Sequence, residues 1–298
     1  MNPTSSSLSK TGWTRHTTLP DGGTAARAVQ RVYLARALNI WCERPGVGLL
    51  RAIEARLLGS LDTPRPILDV GCGDGKFAAV LNHELDLGLD LDFRALIAAR
   101  STGMYKALLQ ADICRAGMLP TAQFGTVFGN SVFEHVPDLD AALTGVHRLL
   151  APGGIFAITV PTDKYGGNTL MASLYRQVGA HSRAAAYERI LDDSFDHRRR
   201  LPVDGWASQL LKAGFVIRDV QLCWSRPTMQ AWDFLQMVAK LGIGRYRLNA
   251  ALARMPKAIQ RPLAMSWLKL LSPVYDWDLE RATHGGSGGN VLIVAAKP

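Results

Sequence analysis

Apolar residues recur at helical spacing from Ala25 to Trp41 (Val29, Val32, Tyr33, Ala37, Ile40, Trp41), and Pro45 ends the run. That spacing predicts one helix, and a second follows from about Val47 to Leu58. Beyond the punctuating "TPRP" at 63–66 the pattern changes to short apolar runs separated by amphipathic segments. "ILDV", "LDLGLDLD" (85–92), "TVFGNSV" and "IFAITVP" read as strands; "ALIAAR" with its flanks and "LDAALTGVHRLL" read as helices, with "APGG" as a turn. A helix over "PVDGWASQLLKAGF" and a strand over "FVIRDVQL" resume the rhythm, and "NVLIVAAKP" is expected as an edge strand after "GGSGG". Strands alternating with helices at short intervals require parallel pairing through right-handed crossovers, so the fold class is α/β with a doubly wound, mostly parallel sheet.

Three segments are expected: a mobile tail over 1–24, an N-terminal helical cap over 25–62, and the α/β domain over 63–298. Two stretches break the rhythm of that domain, 161–200 and 225–289. Both should leave the end of the sheet at the carboxyl ends of the strands, where ligands bind in open α/β folds.

The composition adds a net charge of +9, which calls for an anionic partner or surface. Four scattered cysteines, Cys42, Cys72, Cys114 and Cys223, form neither a zinc motif nor a disulfide framework and suit a reducing, cytoplasmic setting. The N-terminus lacks the apolar core of a signal peptide, and no apolar run reaches about 18 residues, so no spanning helix is expected. Much of the basic excess sits between Phe234 and Tyr275, where there is no Asp or Glu. Lys240, Arg245, Arg247, Arg254, Lys257, Arg261 and Lys269 stand there among apolar residues, with Trp224, Trp232, Trp267 and Trp277 in or beside the stretch. Such basic amphipathic helices suit peripheral contact with an anionic membrane surface, or a helical lid over an apolar pocket. Nucleic acid is the weaker partner, since no recognised binding module accompanies the charge.

"LDVGCGDGKF" places Gly71, Gly73 and Gly75 just after a strand, which lets a ligand approach the backbone. The spacing is not the dinucleotide G-x-G-x-x-G, and there is no GK[ST] phosphate loop. An acid closing the second strand, Asp90, can accept both hydroxyls of a ribose. On these residues, and on "GLDLD", "ADI" (111–113) and the long match "FGTVFGNSVFEHVPDLDAALTGVHRLLAPGGIFAITVP", the chain resembles the class I S-adenosylmethionine-dependent methyltransferases, of the type 11-like small-molecule and lipid group. The resemblance implies a seven-stranded Rossmann-like methyltransferase sheet and S-adenosyl-L-methionine as cofactor. It also implies that Asp69, Gly71, Cys72 and Gly73 surround the methionine part, Asp90 the ribose, and Leu91, Asp112 and Ile113 the adenine. Asn130 would lie under the methionine and face the substrate.

Transfer to a hydroxyl needs its proton removed, commonly by His or a carboxylate. The candidates are His135 in "FEHV", His197 in "FDHRRRLP", and Asp163 and Tyr165 just past the fifth strand. No "DPPY" or "NPPY" follows the fourth strand, which disfavours methylation of adenine or amide nitrogen, and no metal site is assigned. The expected activity is O-methylation of a largely apolar small-molecule, natural-product or lipid-like acceptor. C- or N-methylation, or a non-catalytic cofactor-binding partner subunit, stays open at this level.

Overall fold

The computed structural model describes residues 24–243, 246–285 and 287–298; the expected tail, up to residue 23, lies outside them. In chain order the elements begin with α1 (Thr24–Ile40), α2 (Pro45–Gly59), β1 (Ile67–Val70), α3 (Lys76–Leu81), β2 (Leu85–Asp90), α4 (Phe93–Arg100) and β3 (Tyr105–Gln110). Next come β4 (Phe124–Asn130), α5 (Leu139–Leu149), β5 (Leu150–Pro161), α6 (Leu170–Gln177), α7 (His181–Phe195), α8 (Val203–Lys212) and β6 (Val216–Cys223). The last group is α9 (Arg226–Lys240), a short hairpin of β7 (Gly242–Ile243) and β8 (Tyr246–Arg247), α10 (Leu248–Ala253), α11 (Lys257–Gly285) and β9 (Asn290–Ala296).

Local chemistry sets several of these boundaries. α1 ends at Ile40, a short turn follows, and Pro45 opens α2, where a missing N–H costs nothing. The carboxylates of Asp92 and Asp138 cap α4 and α5 by accepting from the N–H groups of Arg94 and Ala141.

Seven strands form one sheet in the order β3-β2-β1-β4-β5-β9-β6. β1 to β5 pair in parallel, whereas β9 runs antiparallel to both β5 and β6. Alternate residues of one strand serve two cores: Leu292 and Val294 of β9 pack with α1, α2, α9 and α11, while Val291, Ile293 and Ala295 pack with α5 and α8. β9 is therefore interior, not the edge strand its position in the sequence suggests; every one of its residues is buried, and β3 and β6 form the edges. A continuous apolar run is what a strand covered on both faces requires, and "NVLIVAA" is one. The "APGG" turn is likewise absorbed into β5. Gly153 adopts φ +76°, and the register against β4 shifts between Phe124 and Thr126.

The two insertions emerge from the carboxyl ends of β5 and β6, at the same end of the sheet as the glycine turn after β1. Two buried carboxylates hold them in place. Asp233 of α9 accepts from the Met171 N–H (3.0 Å) and from the Tyr187 hydroxyl, joining α9 to α6 and α7. Asp278 of α11 accepts from the N–H groups of Trp224 (3.2 Å) and Ser225 (2.6 Å) and from Thr228 Oγ1 (2.7 Å), fixing the start of α9.

Candidate active site

The turn after β1 takes Gly71, Gly73 and Gly75 through φ of +68°, +55° and +73°, a region that residues with a side chain adopt at a cost. A side chain at Gly71 would strike Val132, whereas one at Gly73 would meet open space. The Gly73 N–H donates to Asp90 Oδ2 (2.7 Å) and the Asp92 N–H to Asp90 Oδ1 (2.9 Å), so one carboxylate fastens the glycine turn to the end of β2. Beside it opens a cavity of about 630 Å³, lined by Gly71, Asp90, Leu91, Asp112, Ile113 and Val132 among others. Leu91 is 66% exposed there, an uncovered apolar side chain at the rim. Asp112 Oδ1 accepts from the Cys114 N–H (2.9 Å), which leaves its second oxygen available.

Asp69 and Cys72 lie buried behind this cavity. Burial pushes the Asp69 carboxyl up to about 7; the Tyr105 hydroxyl donates to it at 2.7 Å and opposes the rise, and the charge of Asp90 adds to it. Burial also pushes the Cys72 thiol well above its ordinary range. A ligand that brings a positive group to Asp69 should expel its proton. Calorimetric titration of S-adenosylmethionine at pH 6, in two buffers of different ionisation enthalpy, is expected to show proton release. The effect should fade by pH 8.5, where Asp69 is already ionised, and vanish in Asp69→Asn. Buffer-independent heats at pH 6 would count against this role.

A second cavity, of about 240 Å³, adjoins the first through Ser131 and His135, which line both. Its walls combine Tyr165, Phe195, Trp224 and Trp232 with the polar groups Arg51, Glu134 and His197. The structure thus brings together three of the four candidates for proton transfer. The ring of His197 lies 5.5 Å from that of His135 and 4.9 Å from that of Tyr165, which meets it edge-on. Asp163 is elsewhere, half exposed and paired with Lys164 (2.8 Å). His197 lies 3.3 Å by Nδ1 from Asp192 Oδ1, while Arg200 donates to Asp192 Oδ2 (2.6 Å). Burial holds the His197 imidazole below its ordinary pKa, against the upward pull of Asp192. His135 Nδ1 lies 2.8 Å from the Asp196 carbonyl oxygen.

Two acids that no sequence motif marks stand at the site: Glu134 lines the smaller cavity, and Glu54 bonds to Ser131, which lines both. Glu134 is buried and its carboxyl is pushed up to about 8 by burial, with one oxygen, Oε2, that has no hydrogen-bond partner. Its signal was the acid beside His135 in "FEHV". Glu54, fully buried in α2, accepts from Arg51 (2.7 Å) at Oε2 and from Ser131 Oγ (3.0 Å), Asn290 Nδ2 (3.0 Å) and Thr159 Oγ1 (3.2 Å) at Oε1. Asn130 joins this network, donating to Glu54 Oε2 at 3.5 Å and accepting from Thr159 at 2.8 Å. It lines neither cavity; its neighbour Ser131 lines both. The signal for Glu54 was a lone acid in the apolar run "LLRAIEARLL".

Two adjoining cavities at the carboxyl ends of a 3-2-1-4-5 parallel sheet, one bordered by a glycine turn and an acid, are laid out as in the Rossmann-like methyltransferase fold. Residues 68–158 match the family described as "Methyltransferase domain". An uncharacterized methyltransferase of Mycobacterium tuberculosis is 35% identical over 96 residues, 31% of this chain and 48% of that protein. Trans-aconitate 2-methyltransferase of an Acidovorax species is 32% identical over 124 residues, 40% of this chain and 45% of that one. The 2-methyl-6-phytyl-1,4-hydroquinone methyltransferase of Synechocystis is 26% identical over 183 residues, 58% and 55% respectively. The chain thus spans about half the length of these curated relatives. The crystal structure of a SAM-dependent methyltransferase from Thermotoga maritima shares the fold at a TM-score of 0.50 with 17% identity, covering 84% of this chain and 89% of that one.

S-adenosylmethionine fits the larger cavity on three observations: the open approach to Gly73, the exposed Leu91, and the paired carboxylates Asp90 and Asp112 with acceptor capacity to spare.

Proposed function

We propose that the protein transfers the methyl group of S-adenosylmethionine to an oxygen of a largely apolar small-molecule, natural-product or lipid-like acceptor. The observation that carries this reading is the pair of cavities joined at Ser131 and His135, the smaller one lined by aromatic rings together with Glu134, His135 and His197. In this reading Asp69, Gly71, Cys72 and Gly73 cradle the methionine part of the cofactor, Asp90 takes the ribose, and Leu91, Asp112 and Ile113 take the adenine. The sulfonium carbon is already activated, so alignment with the acceptor supplies much of the acceleration. A hydroxyl acceptor must lose its proton, and in this reading the cluster around His135 promotes that loss. Asp163 lies outside the cavity and takes no part. Support for an apolar acceptor comes from the rings of Tyr165, Phe195, Trp224 and Trp232, and the Synechocystis relative is named for a hydroquinone with a phytyl chain. Incubation with labelled cofactor and a metabolite or lipid extract tests the reading: a product 14 daltons heavier is expected, and its oxygen attachment is read by fragmentation. Absence of any labelled product across polar and apolar extracts would sink it.

The insertions serve as the lid in this proposal, and their outer face gives the acceptor's route. Trp232 lines the smaller cavity, whereas Trp267 packs against the apolar core on that side of the sheet and is not among the residues that line it. Facing outward are Lys240, Arg247, Arg254, Lys257, Arg261 and Lys269, interleaved with exposed Leu241, Leu248, Met255, Ile259, Met265 and Leu270. Arg245 lies outside the described residues. No helix among the described residues is long and apolar enough to cross a membrane. The face suits shallow contact with acidic lipid headgroups, each nearby cation contributing about 1 kcal/mol. Sedimentation with acidic vesicles at low salt is expected to pull the protein down, with loss at high salt and with neutral vesicles. Equal binding to both vesicle types would remove the membrane contact and leave a soluble acceptor.

A further inference from the structure

Resting on the reading of the smaller cavity as the acceptor site, we propose that Glu134, His135 and His197 form a site for one divalent transition-metal cation, of the Mn²⁺ or Zn²⁺ kind, that holds the acceptor's oxygen. One potential ligand atom from each of the three residues lies within 4.8 Å of the other two, and His135 Nε2 stands 3.6 Å from Glu134 Oε1. Metal–ligand bonds of about 2.1 Å place neighbouring donors about 3 Å apart, so a slight inward closure completes the set. Two imidazoles and one carboxylate leave coordination positions open for an oxygen ligand.

Three independent features point to a ligand rather than to a chance cluster. First, Glu134 is 2% exposed, lines the cavity, and carries Oε2 without a hydrogen-bond partner. A buried carboxylate oxygen left idle is costly unless something occupies it. Second, both histidines have Nδ1 committed on the far side: His135 to the Asp196 carbonyl, which requires an N–H there, and His197 to the Asp192 carboxylate. Each arrangement leaves the Nε2 lone pair free, as metal-binding histidines with an outer hydrogen-bond partner have it. Third, the His197 ring is held between Tyr165, edge-on at 4.9 Å, and Phe195, stacked at 5.9 Å, so its direction is fixed before any ligand arrives.

Nearby cations do not forbid the site. Arg51 donates to Glu54 and to Ser131 Oγ (2.9 Å), and Arg200 donates to Asp192, so each has an anion or an acceptor of its own. The charge of Arg51 favours Glu134 from nearby, but its hydrogen bonds go to Glu54 and Ser131, and Glu134 Oε2 keeps no partner. A cation here polarises an acceptor hydroxyl. The proton departs to solvent, the oxygen bonds to the methyl carbon, the carbon–sulfur bond breaks, and S-adenosylhomocysteine leaves with the electron pair.

The test is direct titration of the untagged 298-residue protein with Mn²⁺, followed by electron paramagnetic resonance, and with Zn²⁺, followed by calorimetry. One equivalent is expected to bind. His135→Ala, His197→Ala and Glu134→Gln should each weaken binding at least ~10-fold, and Asp192→Asn, which frees the far side of His197, should weaken it by a similar factor. His83→Ala, at an exposed site remote from the cavity, should leave binding unchanged. S-adenosylmethionine affinity and the near-ultraviolet spectrum report whether each variant is folded, and His135→Ala, at a partly exposed ring, is the least disruptive of the set. Failure of the parent protein to bind either cation, or binding unaffected in folded His135→Ala and His197→Ala, overturns the site. The titration needs no acceptor. One bound equivalent with no methylated product in any extract would therefore defeat the functional reading alone. Methylation undiminished by a chelator, in a protein that binds no cation, would defeat the metal site alone.

Discussion

Glu54→Ala is expected to destabilise the fold by about 3–5 kcal/mol, read as a lowered urea midpoint with an unchanged slope. The carboxylate is fully buried and accepts from residues on four elements or their ends: Arg51 beside it on α2, Ser131 after β4, Thr159 on β5 and Asn290 at the start of β9. Removing it strands the Arg51 guanidinium and several buried donors at once, and each unsatisfied donor costs about 1–3 kcal/mol. The donors cannot all turn to water, because Thr159 and Asn290 are themselves fully buried. Glu54→Gln keeps the shape but pairs an amide with Arg51, so an intermediate loss is expected. A loss below about 1 kcal/mol in Glu54→Ala would show that the network carries no stability.

Gly73→Val should abolish S-adenosylmethionine binding, weakening it more than ~100-fold. Two effects combine. A β-branched residue at φ +55° is strained, and its Cβ projects into the open space that the ligand's approach requires. Gly103 provides the control. It also has positive φ (+69°) and open space around a Cβ, but neither it nor a neighbouring residue lines either cavity, whereas Gly71, in the same turn as Gly73, lines the larger one. Gly103→Val should share the strain and keep the affinity. Asp90→Ala should lose roughly 1.5–3 kcal/mol of affinity, the range for hydrogen bonds to a charged group, because it frees the Gly73 N–H as well as the ribose. Calorimetry on the four proteins decides. Equal affinity in Gly73→Val and the parent would sink the assignment of the larger cavity.

Outside β3 and the "APGG" stretch, strand and helix periodicity in 67–161 matches the structure, because the apolar runs are long enough to be buried and are bounded by glycine, proline or a capping acid. The glycine turn and Asp90 were legible for the same reason: their chemistry is local and their spacing short. β3 was not read, since "YKALLQ" is an edge strand whose residues are only partly covered and show no alternation. The place of β9 was misread because pairing order is a long-range property; nothing in "NVLIVAA" itself says that two strands flank it, except that it has no polar face. Glu54 and Glu134 escaped for a related reason. Their roles arise from what the fold brings against them: Asn290 lies 236 positions from Glu54, and His197 lies 63 from Glu134. Of the proton-transfer candidates, Tyr165 and Asp163 are two residues apart, yet one is buried in the cavity and the other faces solvent, a difference set by how 162–169 turns after β5.

The central position of β9 has a consequence for how the protein is made. Chains emerge from the ribosome N-terminus first, at about 5–20 residues per second. Of the seven strands, the one that joins β5 to β6 is synthesised last, after the whole of the 225–289 lid. Until it arrives, the inner flanks of β5 and β6 carry unpaired backbone groups, each an invitation to pair with a neighbouring nascent chain. The cofactor cavity is built from β1, β2 and β4 and can take shape early, whereas the smaller cavity waits for Asn290 to reach Glu54. Ribosome-stalled chains ending before residue 290 would therefore hold the nucleoside half of the site without its acceptor half, and would depend on chaperones in the interval.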